Sequence, residues 1–120
     1  MTDFQDVGTQ FVNHYYSTFN QPKENLMNLF TDQSMLTFEG EQFMGQQNIY
    51  GKLGSFGKVT HKINTLDIQP STNNGIVAFV SGELTIDDGN PLMFTEVFHL
   101  NQGGANGYFI LNNIFRLSLS

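Results

Sequence analysis

The feature that most limits what this chain can fold into is a change of period along it. Up to about residue 30, apolar side chains return every three or four positions; from His61 onward they return every second one. Asp3 is placed to cap a helix, with Asp6 adding a favourable charge in its first turn. Phe4, Val7, Phe11, Tyr15 and Phe19 then trace one stripe of a helix over 4–19. "NQP" ends it, and Pro22 opens a short second helix carrying Leu26, Met27, Leu29 and Phe30, which "TDQS" stops. Two short strands at 35–39 and 42–44 turn at Gly40, and a weak helix follows at 46–55, where Gly51 and Gly54 lower the propensity. Four long strands are expected at 61–69, 75–86, 92–101 and 107–119, separated by the turns "PSTNNG", "DDGNP" and "NQGGANG". Helices first and strands after them predict one α+β domain over residues 1–120. Its expected form is a strongly curved antiparallel sheet on three helices, cone-like with an apolar cavity.

The 75–86 strand adds a constraint. Ile76, Ala78 and Val80 face one way, Val77 and Phe79 the other, so both faces are apolar. A sheet with one wet face alternates apolar and polar, so the second face needs a cover, which the helices on the first face cannot supply. A second copy packed sheet to sheet is the expected cover, with loops as the alternative; Phe94, Phe98 and Leu100 on the next strand extend either layer. Only 13% of the residues are charged, against about a quarter in an ordinary soluble domain, which favours self-association. The 12 Phe, with no polar group to satisfy, are expected in a core or an interface.

Chemistry is sparse. The chain has no Cys, so neither disulfides nor thiolate metal sites arise, and no cofactor is implied. The net charge of −6 disfavours nucleic acid and suits a basic partner. No stretch approaches the roughly 18 apolar residues of a membrane span, and the start lacks the basic and apolar runs of a signal peptide, so a nuclear or cytoplasmic protein is expected. There is no phosphate-binding glycine loop or nucleophile elbow, and His14, His61 and His99 lack metal-ligand spacing. His61 and Asp67 share a strand face, but six residues of strand separate them by about 20 Å, too far for a catalytic pair. What stands out is acidic: Glu39 at a strand end beside Phe38 and Phe43, and Asp87 and Asp88 at a hairpin tip near Leu92, Met93 and Phe94. Apolar pockets rimmed by carboxylates suit a ring or aliphatic knob flanked by Lys or Arg, while ordinary turn chemistry also places Asp and Gly there.

Taken in order, "FVNHYYSTF", "SMLTFEG…FMG", "VTHKINTLDIQP", "VSGELTID" and "NNIFRLSLS" resemble the nuclear transport factor 2 family over essentially the whole chain. The resemblance implies a homodimer that carries the GDP-bound small GTPase Ran into the nucleus and touches phenylalanine–glycine repeats of nucleoporins. Such a protein passes between cytoplasm and nucleus and is enriched at the nuclear envelope. It further implies that Glu39 and Asp87 are rim carboxylates with His61 beside them, and that Phe38, Met93 and Phe115 form the wall of a cavity receiving a phenylalanine of the GTPase. Phe4 is implied as the repeat-binding aromatic, although by pattern alone it opens the core stripe of the helix, and Phe79 is implied at the dimer face.

Three departures bear on this. Gly89 and Asn90 stand where a further rim carboxylate is expected, which leaves Asp88 as its substitute. The segment "GSFGKV" is shorter than its family counterpart. Asn20 replaces an Asp found beside the repeat site, which favours contact with apolar repeats. Two other readings remain: a cone-fold dehydratase or isomerase, which needs a titratable pair converging in the cavity and has Glu96, Asp67 and the histidines to draw on, and a peptide-binding adaptor.

Overall fold

The computed structural model describes residues 3–104 and 107–118. Asp3 accepts a hydrogen bond from the Gln5 amide at 2.9 Å and starts α1, Phe4–Thr18. Its buried face is Val12, Tyr15 and Tyr16, continued by Phe19, while Phe4 at the other end is 38% exposed. The helix α2 spans Lys23–Met27, β1 Phe30–Phe38, β2 Glu41–Met44 and α3 Gln46–Leu53. Then come β3 (Val59–Pro70), β4 (Ile76–Ile86), β5 (Leu92–Gly104) and β6 (Gly107–Leu117). Residues 105–106 of the "NQGGANG" turn and residue 119 of the last expected strand lie outside the described residues.

Two expectations need correction. Phe30 opens a strand rather than closing a helix, because "TDQS" bonds to itself. The Thr31 amide donates to Ser34 Oγ and the Gln33 amide to Thr31 Oγ1, while Ser34 Oγ donates to the Ile110 carbonyl of β6. Such short polar side chains give the backbone an alternative to the helix. The six-stranded sheet, ordered β2-β1-β6-β5-β4-β3, is also not wholly antiparallel: β1 runs parallel to β6, while its other neighbours pair antiparallel. β2, α3 and the strands β3–β5 lie between β1 and β6 in sequence, so β1 reaches β6 by a long connection, which permits a parallel pairing.

The curl of the sheet has visible causes. Register shifts interrupt β3 between Ile63 and Thr65, β5 between His99 and Leu100, and β1 between Phe30 and Met35; such bulges bend a strand and increase its twist. At the β3 shift, Gly82 lies so close to its neighbour that an added Cβ would stand 2.1 Å from the Lys62 carbonyl oxygen. The inner face carries Ile76, Ala78, Val80, Phe94, Phe98, Leu100, Ile110 and Phe115, all buried against α1, α3 and β1 side chains. Phe94, Phe98 and Leu100 therefore belong to this layer alone. On the outer face Phe79, Val97 and Ile114 pair across three strands in one row. Phe79 is 42% and Ile114 46% exposed, so the chain's own loops do not cover this row.

Candidate functional site

Between the curled sheet and the helices lies an apolar cavity of about 100 Å³. Tyr15 of α1, Phe19 just after it, Leu36 and Phe38 of β1, Phe56 of the α3–β3 loop, His61 of β3, Ile86 of β4, and Phe115 and Leu117 of β6 are among its lining residues. Half-buried Phe38 and Phe56 mark its mouth. Phe94, Phe115 and Phe38 form a column of near-parallel rings, with successive centroids 5.6 and 4.5 Å apart, and Phe56 leans on Phe38 at 5.2 Å.

Both leading acidic candidates adjoin the lining, Glu39 next to Phe38 and Asp87 next to Ile86, each through tight-turn geometry. Glu39 (φ 53°) and Gly40 (φ 87°) form the two-residue turn joining β1 to β2. Asp87 (φ 50°) and Asp88 (φ 63°) form the turn that follows β4. Two consecutive left-handed residues match the right-handed twist of hairpin strands; Asp and Gly tolerate that backbone, whereas Glu does so at some cost. Glu39 is held there by its amide donating to the Phe115 carbonyl and by Oε1 accepting from the Leu117 amide. Asp87 Oδ1 accepts from the Lys58 amide at 3.1 Å, and the Asp87 amide donates to the Lys58 carbonyl at 2.8 Å. This clamp fixes the short "GSFGKV" loop that carries Phe56, and it requires Gly57, where a Cβ would stand 2.7 Å from Asp87 Oδ1. Among the described residues the ion pairs are Lys52–Glu41 and Lys62–Glu83, so Glu39, Asp87 and Asp88 take part in none of them.

The other candidates fall in different places. His61 belongs to the cavity wall, its ring 4.4 Å from that of Tyr16 and 5.1 Å from that of Phe19. Burial pushes its pKa down to about 4, and its Nδ1 is buried without a partner among the described residues. Phe38 and Phe115 line the cavity, but Met93 does not: alternation beside buried Phe94 turns it outward, where it is 47% exposed. Phe4 and Asn20 are at opposite ends of α1, about 24 Å apart at 1.5 Å per residue, so one protomer does not bring them together. Asn20 ties the end of α1 to β3, its Oδ1 accepting from the Val59 amide at 2.9 Å. Phe4 instead borders a surface hollow shared with Val7, Ile76 and Tyr108.

Glu96 is fully enclosed at the cavity wall. Tyr16 donates to its Oε1 at 2.7 Å and Asn113 to its Oε2 at 3.0 Å, yet burial outweighs both and lifts its pKa to about 7. Glu96 up and His61 down satisfies the displacement an acid–base pair would show. Burial heads both shifts, however, and both Glu96 oxygens are engaged, so the shifts record enclosure in an apolar wall: at neutral pH His61 is neutral and Glu96 is about half protonated. The described residues contain no group of three metal-ligating side chains, and no described helix is long and apolar enough to cross a membrane.

The nuclear transport factor 2 domain model matches residues 7–117. The chain belongs to the nuclear transport factor 2 family. It is 46% identical over 120 residues to nuclear transport factor 2 of Neurospora crassa, covering 98% of this chain and 97% of the relative. Against nuclear transport factor 2 of Oryza sativa it is 47% identical over 120 residues, 97% of this chain and 98% of the relative. The structure of nuclear transport factor 2 from Cryptosporidium parvum superposes with a TM-score of 0.90 at 48% identity, covering 96% of this chain and 94% of that one. With full-length relatives at this identity named as transport factors, the chain is a nuclear transport factor rather than a cone-fold enzyme.

Proposed function

We propose that the chain works as a homodimeric import carrier that receives GDP-bound Ran at the cavity mouth and phenylalanine–glycine nucleoporin repeats elsewhere on its surface. The observation that carries this reading is an apolar, ring-lined cavity whose lining residues Phe38 and Ile86 are followed directly by Glu39 and Asp87, neither of which makes an ion pair among the described residues. A partner ring enters the cavity while flanking Lys or Arg side chains pair with these carboxylates. Asp88, exposed on the same turn, offers a further charge where Gly89 and Asn90 supply none, and outward-facing Met93 meets the partner outside the cavity rather than within it. His61 supports the wall against which the ring packs.

The exposed Phe79–Val97–Ile114 row is the face on which a second copy packs, leaving each cavity open. Phe4 serves the repeats through the hollow it borders. Asn20, at the far end of α1, joins such a site only where a second protomer brings it near. A carrier with these contacts divides between cytoplasm and nucleus and concentrates at the nuclear pore. Calorimetric titration with Ran loaded with GDP and, separately, with GTP tests the reading. Binding to the GDP form alone is expected; binding to neither form removes the Ran assignment.

A further inference from the structure

The aromatic column at the cavity mouth does not end in solvent. Phe115 stacks on one face of Phe38, with ring planes 6° apart, and the Lys52 ammonium lies over Phe38 at 5.0 Å from its centroid. A ring stacked this closely on one side leaves only the other for the cation. The same ammonium is 5.7 Å from Phe56 and 5.8 Å from Phe43, so three rings from three separate segments surround it. All are within the reach of cation–π attraction. Lys52 belongs to the last turn of α3, where the helix dipole also favours a cation. Glu41 of β2 holds it from outside at 3.9 Å, and the Lys52 side chain is only 25% exposed.

We propose that Lys52 is a resident stopper of the cavity mouth. In the free chain its ammonium occupies the outer face of Phe38. An arriving partner that presents a ring beside Lys or Arg seeks the same rings, and must displace Lys52 first. The inference rests on the mouth being the docking site, but the stopper itself is a property of the free chain and is testable without any protein partner. By this logic Lys52 sets selectivity: a purely apolar knob loses affinity to the displacement of Lys52, whereas a cation that also reaches Glu39 or Asp87 recovers it.

The test uses benzene as a probe of the free protein, followed by NMR shifts of the cavity methyl groups of Leu36, Leu84 and Ile86; apolar cavities of this kind take up such probes. Lys52→Ala is expected to bind benzene about tenfold more tightly than the wild type, the size of a partly desolvated cation–π contact. Lys52→Arg, which keeps the cation, retains the wild-type affinity. Glu41→Gln removes the outer hold while leaving every ring and the lysine in place, and is expected to tighten benzene binding about threefold. If Lys52→Ala binds no more tightly, or Lys52→Arg gains as much as Lys52→Ala, the stopper is overturned. A gain in Lys52→Ala with none in Glu41→Gln also overturns it, because it would reflect only the space vacated. The same variants are then titrated with GDP-loaded Ran, where Lys52→Ala is expected to bind more tightly than the wild type. Weaker binding shows Lys52 contacting the partner directly and refutes the stopper. If Ran binds none of the proteins, the carrier reading falls, and the benzene series alone decides the stopper.

Discussion

Replacing Glu96 by Gln isolates one buried carboxyl, and its effect on stability has a sign that depends on pH. Burial raises the Glu96 pKa from the ordinary 4.5 to about 7, so the folded chain keeps a proton that the unfolded chain has already released between those limits. Stability from this group is fully present below about 4.5 and is lost as pH climbs to about 7. Across that interval of roughly 2.5 pH units the loss is about 3 kcal/mol, at 1.36 kcal/mol per unit. His61 works the other way: with its pKa lowered from 6.5 to about 4, its contribution is present above 6.5 and lost as pH falls through that range. The two groups nearly cancel in the wild type, and Glu96→Gln uncovers the His61 slope.

Gln keeps the shape of Glu but not all of its hydrogen bonding: its oxygen still accepts from Tyr16, while its NH₂ faces the Asn113 NH₂ that donates to Glu96 Oε2. That mismatch does not titrate, so it lowers stability equally at both pH values and leaves the pH dependence readable. Thermal melts of both proteins at pH 4 and pH 8 measure the effect, because all other titrations are shared and drop out of the difference. The melting temperature of Glu96→Gln relative to the wild type is expected to be about 10–15 °C more favourable at pH 8 than at pH 4, at roughly 3–5 °C per kcal/mol for a domain of this size. A difference between the two proteins that is the same at both pH values would refute the reasoning.

Three further outcomes are expected. Glu39→Lys places a cation where the partner's cation belongs and should weaken GDP-bound Ran binding by about 2–5 kcal/mol in calorimetry, with the dimer intact by light scattering; unchanged affinity removes Glu39 from the site. Phe79→Asp puts a charge into the exposed row on the outer sheet face, and sedimentation should then show monomers; a persistent dimer places the interface elsewhere. Phe4→Ala should weaken capture by immobilised phenylalanine–glycine repeats while leaving Ran affinity as it was, and an equal loss of both would mean damage to α1 rather than a lost contact.

Local pattern determined much of this protein. The return of apolar residues every three or four positions placed α1, and alternation placed the four long strands to within a few residues, because each pattern records which side of one element is dry. The inward set of β4 and the two-faced character of Val77 and Phe79 were legible for the same reason. Glu96 was legible too, since it alternates inward between Phe94 and Phe98. The turn chemistry of Asp87 and Asp88 likewise announced a hairpin.

What the tertiary structure decided are meetings between distant segments. The parallel pairing of β1 with β6 arises because the chain returns to β1 only after the whole meander, and no local period records that choice. The resemblance implies Met93 as a wall residue, yet the pleat turns it out. Phe4 and Asn20 are drawn together by resemblance but separated by the rigid length of a helix. Lys52 carried no signal in the sequence, because the rings around it come from β1, β2 and the α3–β3 loop. The curl that gathers them is set by bulges and close approaches such as Gly82 against Lys62. A sequence states the periodicity of each element; the shape of the cavity follows from how far the sheet bends, and only the assembled strands fix that.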